Sequence, residues 1–380
     1  MKKVLFIILF VTLFGISIYF IFDVPKSEDS KYFSVTSAMS AEGDTLFKKA
    51  ILPVDFQFPR DHAAHNDYKL EWWYFTGNLQ DEKGNRFGYQ FTIFRNALSP
   101  EVGEINSNLS SNQLYFAHFA LTDVGSNKHY YFEKFSRGIE GLAGTDTLPL
   151  KIFIENWTIN GDYPNNNYDK PIFRINAVEG DIALNLYLEP VKNMVLHGDR
   201  GLSAKSYEPG NASYYYSFTR IKSSGNIEIE DKNYSVTGSS WMDREWSTSA
   251  LSAGQTGWDW FSVQLDNNIE LMFFRLRDSS GATNFAKGTL VLPDGTYKNL
   301  KEGDFQLKIL NTQKLESGTE YPTKWRIILP EYSLEIISEV QILEQEMKLS
   351  VKYYEGSIRI SGRFEENPIA GYGYVELTGY

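Results

Sequence analysis

The 380-residue chain contains no cysteine. That absence excludes a disulfide framework, thiolate metal sites, cysteine nucleophiles and a lipoprotein-type acylated cysteine. Histidine is scarce, five in all, and none stands in an H-x-x-x-H or similar spacing, so no metal is expected. The chain also lacks a G-x-S-x-G elbow, a P-loop and a dinucleotide fingerprint. Nucleotide cofactors and serine-triad hydrolysis therefore have no support, and no cofactor is expected. Positive charge is in deficit, 37 Lys and Arg against 48 Asp and Glu, for a net charge of -11. With no basic stripe, this argues against a nucleic-acid partner.

What the chain has is apolar and aromatic bulk: 42% hydrophobic residues, with 24 tyrosines and 26 phenylalanines. It is therefore a globular protein, long enough for two domains and rich in strand-forming residues. At the N-terminus, Lys2 and Lys3 precede an apolar run from Val4 to Phe22. This reads as a signal peptide or uncleaved membrane anchor over 1–25, which places the remaining chain outside the cytoplasm, at the periplasm or cell surface. The serine-rich stretch 26–50 reads as a tether.

From Ile51 onward, short alternating runs are separated by turn residues. Leu70–Leu79 and Arg86–Asn96 predict a hairpin, as do Leu114–Val124 and His129–Phe135. Strands follow at Lys151–Ile159, Ile182–Leu188, Tyr214–Ile221 and Tyr234–Gly238. More are expected at Gly257–Leu265, Ile269–Arg277 and Phe285–Leu292, and then at Trp325–Leu329, Ser333–Glu339, Lys348–Tyr354, Ser357–Gly362 and Tyr372–Leu377. Only Thr312–Ser317 and Glu339–Met347 carry a helical pattern. The fold class is all-β, two antiparallel sandwiches or barrels, divided into 51–238 and 239–380.

Chemistry concentrates in three segments that hold six of the eight tryptophans. In Leu70-Glu71-Trp72-Trp73-Tyr74-Phe75, strand alternation puts Glu71, Trp73 and Phe75 on one face and Trp72 and Tyr74 on the other. Glu71 is then a general acid or the partner of a cation, with Arg244 the candidate. In Trp241-Met242-Asp243-Arg244-Glu245-Trp246, the two carboxyls share a face with Trp241, about 6.5 to 7 Å apart by strand rise. That separation suits acid–base work or, alternatively, a structural ion pair beneath packed indoles. Gly257-Trp258-Asp259-Trp260-Phe261 sets two indoles on one face with Asp259 opposite. Glu71, Asp243, Glu245 and Asp259 are the candidate catalytic groups. His65, Trp72, Trp73, Tyr74, Arg244, Trp246, Trp258 and Trp260 are the candidate ligand-binding residues. His118 reads as a core histidine.

These segments, with Phe58-Pro59-Arg60-Asp61-His62 and Gly371-Tyr372-Gly373-Tyr374-Val375-Glu376-Leu377-Thr378-Gly379-Tyr380, resemble the hallmarks of a lipocalin-like family that includes AttH and the carotenoid 1,2-hydratases. The resemblance spans roughly Ile51 to Tyr380. It implies two lipocalin-like barrels packed together around an apolar ligand, an association with ABC transporter components, and no metal. In the hydratases the position matching Arg244 is histidine; arginine stays charged and cannot shuttle protons near neutral pH.

Two functions follow from these readings. One is an extracytoplasmic protein that binds a hydrophobic or amphipathic small molecule, as an accessory to an ABC export system. The other is a cofactor-free acid–base enzyme of hydratase, isomerase or cyclase type acting on an isoprenoid-like or other apolar substrate, in which tryptophans steady a cationic intermediate.

Overall fold

Alternation of apolar and polar residues governs the chain from Leu70 to its end, and the structure resolves that alternation into strands. The computed structural model describes residues 46–99, 111–249 and 251–380. The expected signal or anchor segment 1–25 and most of the tether lie outside the described residues. No helix among the described residues is long and apolar enough to cross a membrane.

The first sheet takes the strands β1 (Leu70–Asp81), β2 (Arg86–Ala97), β3 (Gln113–Asp123), β4 (Lys128–Arg137), β5 (Ala143–Thr147), β6 (Leu150–Ile154), β7 (Trp157–Asp162), β8 (Ile172–Glu179), β9 (Ile182–Pro190), β10 (Val195–Leu196), β11 (Leu202–Ala204), β12 (Ala212–Ile229) and β13 (Lys232–Ser247). Its order is β4-β3-β2-β1-β13-β12-β9-β8-β7-β6-β5, with β10 and β11 paired to β12. Lys134 on β4 reaches Glu155, between β6 and β7, at 2.8 Å, so the two edges of the sheet approach and it curls into a barrel. The barrel interior is filled by Trp73, Phe75, Phe91, Phe119, Trp157, Phe173, Met242 and their neighbours.

The second sheet takes β14 (Gln255–Leu265), β15 (Glu270–Asp278), β16 (Thr283–Val291), β17 (Tyr297–Lys301), β18 (Gln306–Lys314), β19 (Glu320–Leu329), β20 (Leu334–Val340), β21 (Glu346–Lys348), β22 (Lys352–Phe364) and β23 (Asn367–Thr378). Its order is β17-β16-β15-β14-β23-β22-β20-β19-β18, with β21 beside β22. Phe261, Val263, Phe273, Trp325, Ile358 and Val375 build a second, separate core. The molecule is thus all-β, two barrel-like antiparallel sheets of the lipocalin-like kind.

Two expectations need correcting. Residues 312–317 and 339–347 form no helix: Thr312–Lys314 belong to β18, and the second stretch passes from β20 into β21. The boundary expected after 238 falls inside β13, because that strand stays hydrogen-bonded to β1 and β12 as far as Ser247. The second sheet begins at Gln255. A third apolar cluster joins the two barrels: Tyr74, Tyr215 and Trp241 from the first pack with Trp260, Met272, Phe274 and Tyr374 from the second.

Candidate active site

The register of β1 against β13 decides what each face of the first barrel presents. Glu71 lies opposite Trp246, Trp73 opposite Arg244 and Phe75 opposite Met242, and these residues point inward. Trp72 lies opposite Glu245 and Tyr74 opposite Asp243, and this set faces the second barrel. The second barrel answers with Trp258 and Trp260 on β14 and Glu376 on β23, where Trp260 sits opposite Glu376.

Between the barrels these residues form a cleft with two lobes. The first is lined by Trp72, Tyr74, Lys205, Asp243, Glu245, Trp258, Trp260, Phe274 and Glu376. The second, bordered by Phe94, Phe116, His118, Val351 and Tyr353, shares Trp72, Phe94, Trp258 and Glu376 with the first. The lobes hold about 80 and 50 Å³ of open space. Since one water molecule needs roughly 10–15 Å³ by that measure, this is room for a compact molecule.

The charge balance of the first lobe is unusual. Three carboxyls, Asp243, Glu245 and Glu376, share one lysine, Lys205. Lys205 Nζ lies 2.8 Å from Glu245, which also accepts a hydrogen bond from Ser213. Asp243 has no cation among the described residues. Its oxygens meet the Trp241 indole N–H at 2.6 Å, the Tyr215 hydroxyl at 2.6 Å and the Ser217 hydroxyl. Burial is the largest influence on Asp243. With the charge of Glu245 it outweighs those hydrogen bonds and pushes the carboxyl up to about 7. Glu376 is pushed up to about 8, again chiefly by burial and then by Glu245 and Asp243, against a hydrogen bond from Trp258. Behind it, Glu355 lies directly opposite Glu376 across β22 and β23 and accepts the Tyr74 hydroxyl at 2.9 Å. Burial, reinforced by Glu376, holds Glu355 well above the carboxylate range.

The structure therefore brings together Asp243, Glu245, Trp72, Tyr74, Trp258 and Trp260. It does not bring the other named residues into the first lobe. Glu71 reaches the edge of the second lobe but is clamped by Arg95 and Arg244 and by the His65 backbone N–H at 2.9 Å. Although burial raises it, the two guanidinium groups hold it well below the usual range, so it is an ion-pair partner and not a proton donor. Asp259 is fully buried on the opposite face of β14, with Arg275 at 2.6 Å, Arg277 at 2.9 Å and the Tyr380 hydroxyl at 2.9 Å. It too is a structural anion. Trp73, Trp246, His65 and Arg244 pack inside the first barrel: His65 stacks on Trp246 at 4.0 Å, and Arg244 lies 4.1 Å from the Trp73 ring centroid.

Sequence reasoning missed Glu376, Lys205, Tyr215 and Glu355. Glu376 carried a signal, a lone carboxylate in the apolar run Tyr374-Val375-Glu376-Leu377. Lys205, in the connection between β11 and β12, carried none.

A family profile described as AttH-like matches residues 49–380, nearly the whole described chain. The chain belongs to the AttH-like family. Among solved structures, an AttH protein of Nitrosomonas europaea is 29% identical and covers 88% of this chain and 100% of its own, with a TM-score of 0.76. Kievitone hydratase from Nectria haematococca is 14% identical over 88% of this chain and 98% of its own, TM-score 0.66. CghA with Sch210972 is 12% identical over 89% and 97%, TM-score 0.52. The last two establish a shared fold with this AttH-like chain. No curated protein sequence matches it.

Proposed function

We propose that this protein is a cofactor-free acid–base enzyme that protonates a carbon–carbon double bond in a compact apolar substrate and adds water to the resulting cation. The observation that carries this reading is the pair Asp243, buried, and Glu376, half-buried, carboxyls without an ion-pair partner among the described residues, set in the wall of an aromatic cleft. A carrier of apolar ligands needs the aromatic wall alone. Burying uncompensated acids beside it costs several kcal/mol, a cost with a purpose only where the acids act.

The roles follow from the surroundings. Glu376, held neutral up to about pH 8, donates its proton to the alkene: its O–H bond breaks as a C–H bond forms. The faces of Trp72, Trp258 and Trp260 attract the cation that develops, each by about 0.5–2 kcal/mol. Water attacks that cation, and its proton passes to Glu245, the carboxylate paired with Lys205, and from there to the cleft acid left without one. The kievitone hydratase that shares the fold is named for a hydration, and this chain has the acid and the aromatic wall such a reaction needs. The small lobes favour a ring-sized substrate over a fully extended polyene. We place the enzyme outside the cytoplasm on the Lys2–Phe22 pattern, and its service to an ABC export system rests on the family resemblance.

The test is incubation of the full chain with a panel of compact apolar alkenes in isotopically labelled water, read by mass spectrometry. Wild type should yield a product carrying one labelled water, and Glu376→Gln and Asp243→Asn should each lose about 10²–10⁴ of that rate. An unaltered ligand recovered from the native host, with no labelled product across the panel, would replace this reading with a carrier.

A further inference from the structure

Behind Asp243, away from the cleft, a chain of polar side chains crosses the interface between the barrels and ends at the surface. Ser217 Oγ touches Asp243 Oδ1. His197 Nε2 lies 2.7 Å from Ser217 Oγ, and His197 Nδ1 lies 2.8 Å from Thr289 Oγ1. Thr289 Oγ1 lies 3.0 Å from Asn299 Oδ1. Ser217, His197 and Thr289 are all buried, and Asn299 is exposed.

The direction of every hydrogen bond in this chain is set from its outer end. Asn299 is clipped to the Gly198 backbone: its amide nitrogen donates to the Gly198 carbonyl, and its Oδ1 accepts the Gly198 N–H at 3.1 Å. That fixes which end of the amide is oxygen, so the atom facing Thr289 can only accept. The single Thr289 proton is then committed to Asn299, and Thr289 must accept from His197 Nδ1–H. A neutral imidazole with its proton on Nδ1 has a lone pair on Nε2, so Ser217 must donate to it. Ser217 has then spent its one proton, and the only remaining source for its contact with Asp243 is an Asp243 O–H. Burial holds His197 down to about 3, consistent with a neutral ring.

We infer that His197 is a positioning residue that, locked by Thr289 and Asn299 as the Nδ1–H tautomer, holds Asp243 as the neutral acid in the resting protein. With Oδ1 donating to Ser217 and accepting from Trp241, and Oδ2 accepting from Tyr215, the neutral carboxyl is fully satisfied. The proton held on Oδ1 is a reserve. When Glu376 has given its proton to substrate, Asp243 is the neutral acid of the same lobe that can replace it: its O–H bond breaks as the Glu376 O–H re-forms, and the water proton taken by Glu245 then restores the Asp243 O–H. The groups that face Asp243 are Glu245 on its own strand, Tyr215 on β12, Tyr74 on β1, Lys205 in the connection between β11 and β12, and Glu376 on β23. None of them supplies a proton to Ser217 in place of Asp243. The role in turnover rests on the enzyme reading above; the tautomer and the protonation state do not.

The experiment uses the full chain with nitrogen-15 labelled histidine, of which there are only five. Nuclear magnetic resonance then reports the His197 tautomer, assigned by its loss in His197→Phe. Infrared difference spectra report the carboxylic acid band of Asp243, assigned by its loss in Asp243→Asn. Wild type should show His197 neutral with its proton on Nδ1, and an Asp243 acid band that persists to near neutral pH. Thr289→Val, nearly isosteric, removes the acceptor on Nδ1. The ring should move its proton to Nε2 and donate to Ser217, which then donates to Asp243 and favours the carboxylate. The midpoint of the acid band should fall by at least a pH unit, a tenfold change in acidity. Asn299→Leu, at an exposed position, should shift it the same way and serves if Thr289→Val folds poorly. An Nε2–H or doubly protonated His197 in wild type, or an unmoved midpoint in a folded variant, overturns the inference. Correct tautomer and acid band with no turnover of any alkene would leave it standing while sinking the enzyme reading.

Discussion

Glu71 is a fully buried carboxyl and Glu376 a half-buried one, and their neighbours send them in opposite directions. Two guanidinium groups face Glu71 and keep it ionised; Glu376 faces other acids and stays neutral. Glu71→Gln should therefore cost about 3–5 kcal/mol, because Arg95 and Arg244 are left buried without their anion. Glu376→Gln replaces one neutral polar group by another, and its stability loss below pH 7 should stay under about 1.5 kcal/mol. Urea denaturation of both variants checks the contrast, and equal losses would contradict it. Much of this was legible in the sequence. The alternation in 70–75 and 241–246 put Asp243 and Glu245 on one face and Arg244 on the other, and it nominated the Glu71–Arg244 pair. What alternation could not show is which face met a second barrel, so Glu71 and Asp259 were grouped with the cleft acids although they belong to barrel interiors. His197, Lys205 and Tyr215 come from other strands and connections, and only the folded register brings them beside Asp243.

At the scale of elements, β13 is the member on which the site depends, since one strand supplies Asp243 and Glu245 to the cleft, Trp241 to the cluster between the barrels, and Met242 and Trp246 to the first core. Its position between β1 and β12 leaves no free edge. Gly238 marks the close approach to β1: a Cβ there would meet Asn78 O at 2.2 Å and Leu79 Cα at 2.9 Å, both backbone atoms that cannot turn aside. Gly238→Ala should thus shift the β1–β13 pairing and destabilise the protein by about 1–3 kcal/mol, with lower activity arising from displaced Asp243. A melting temperature within a degree or so of wild type would refute this. Two of the strands that sequence patterning missed or misread have almost no buried face to betray them. β18, mistaken in part for helix, is exposed along nearly its whole length, and β17 exposes all but one residue. Period-2 patterning reports burial, and an exposed edge strand has little to report.

For the whole molecule, the decisive fact is that the cleft acids stand where two barrels pack together. Packing rests on the third apolar cluster and on links such as the Lys192–Glu270 pair at 2.7 Å and the Gln264 amide donating to Ser240 and Thr219 carbonyls. Stability should accordingly depend on pH in two opposing ways. Glu71 and Asp61, lowered in the folded protein, contribute stability that is present above their unfolded values and lost as pH falls through their folded ones. Asp243 and Glu376, raised to about 7 and about 8, contribute stability that is complete below their unfolded values near 4 and lost as pH climbs to 7 and 8. The two sets together place the optimum near about pH 5, with a decline on the alkaline side of up to about 1.4 kcal/mol per pH unit for each raised acid. The raised acids stand in one packed interface, so both barrels should unfold in a single transition that carries this slope. Glu376→Gln should remove one proton's share of the decline between pH 5 and 8 and become more stable than wild type at pH 9. Denaturant titrations at pH 5, 7 and 9 decide the matter. Two separate transitions, or a wild-type stability flat from pH 5 to 9, would mean that the acids are hydrated and that the interface is open in solution.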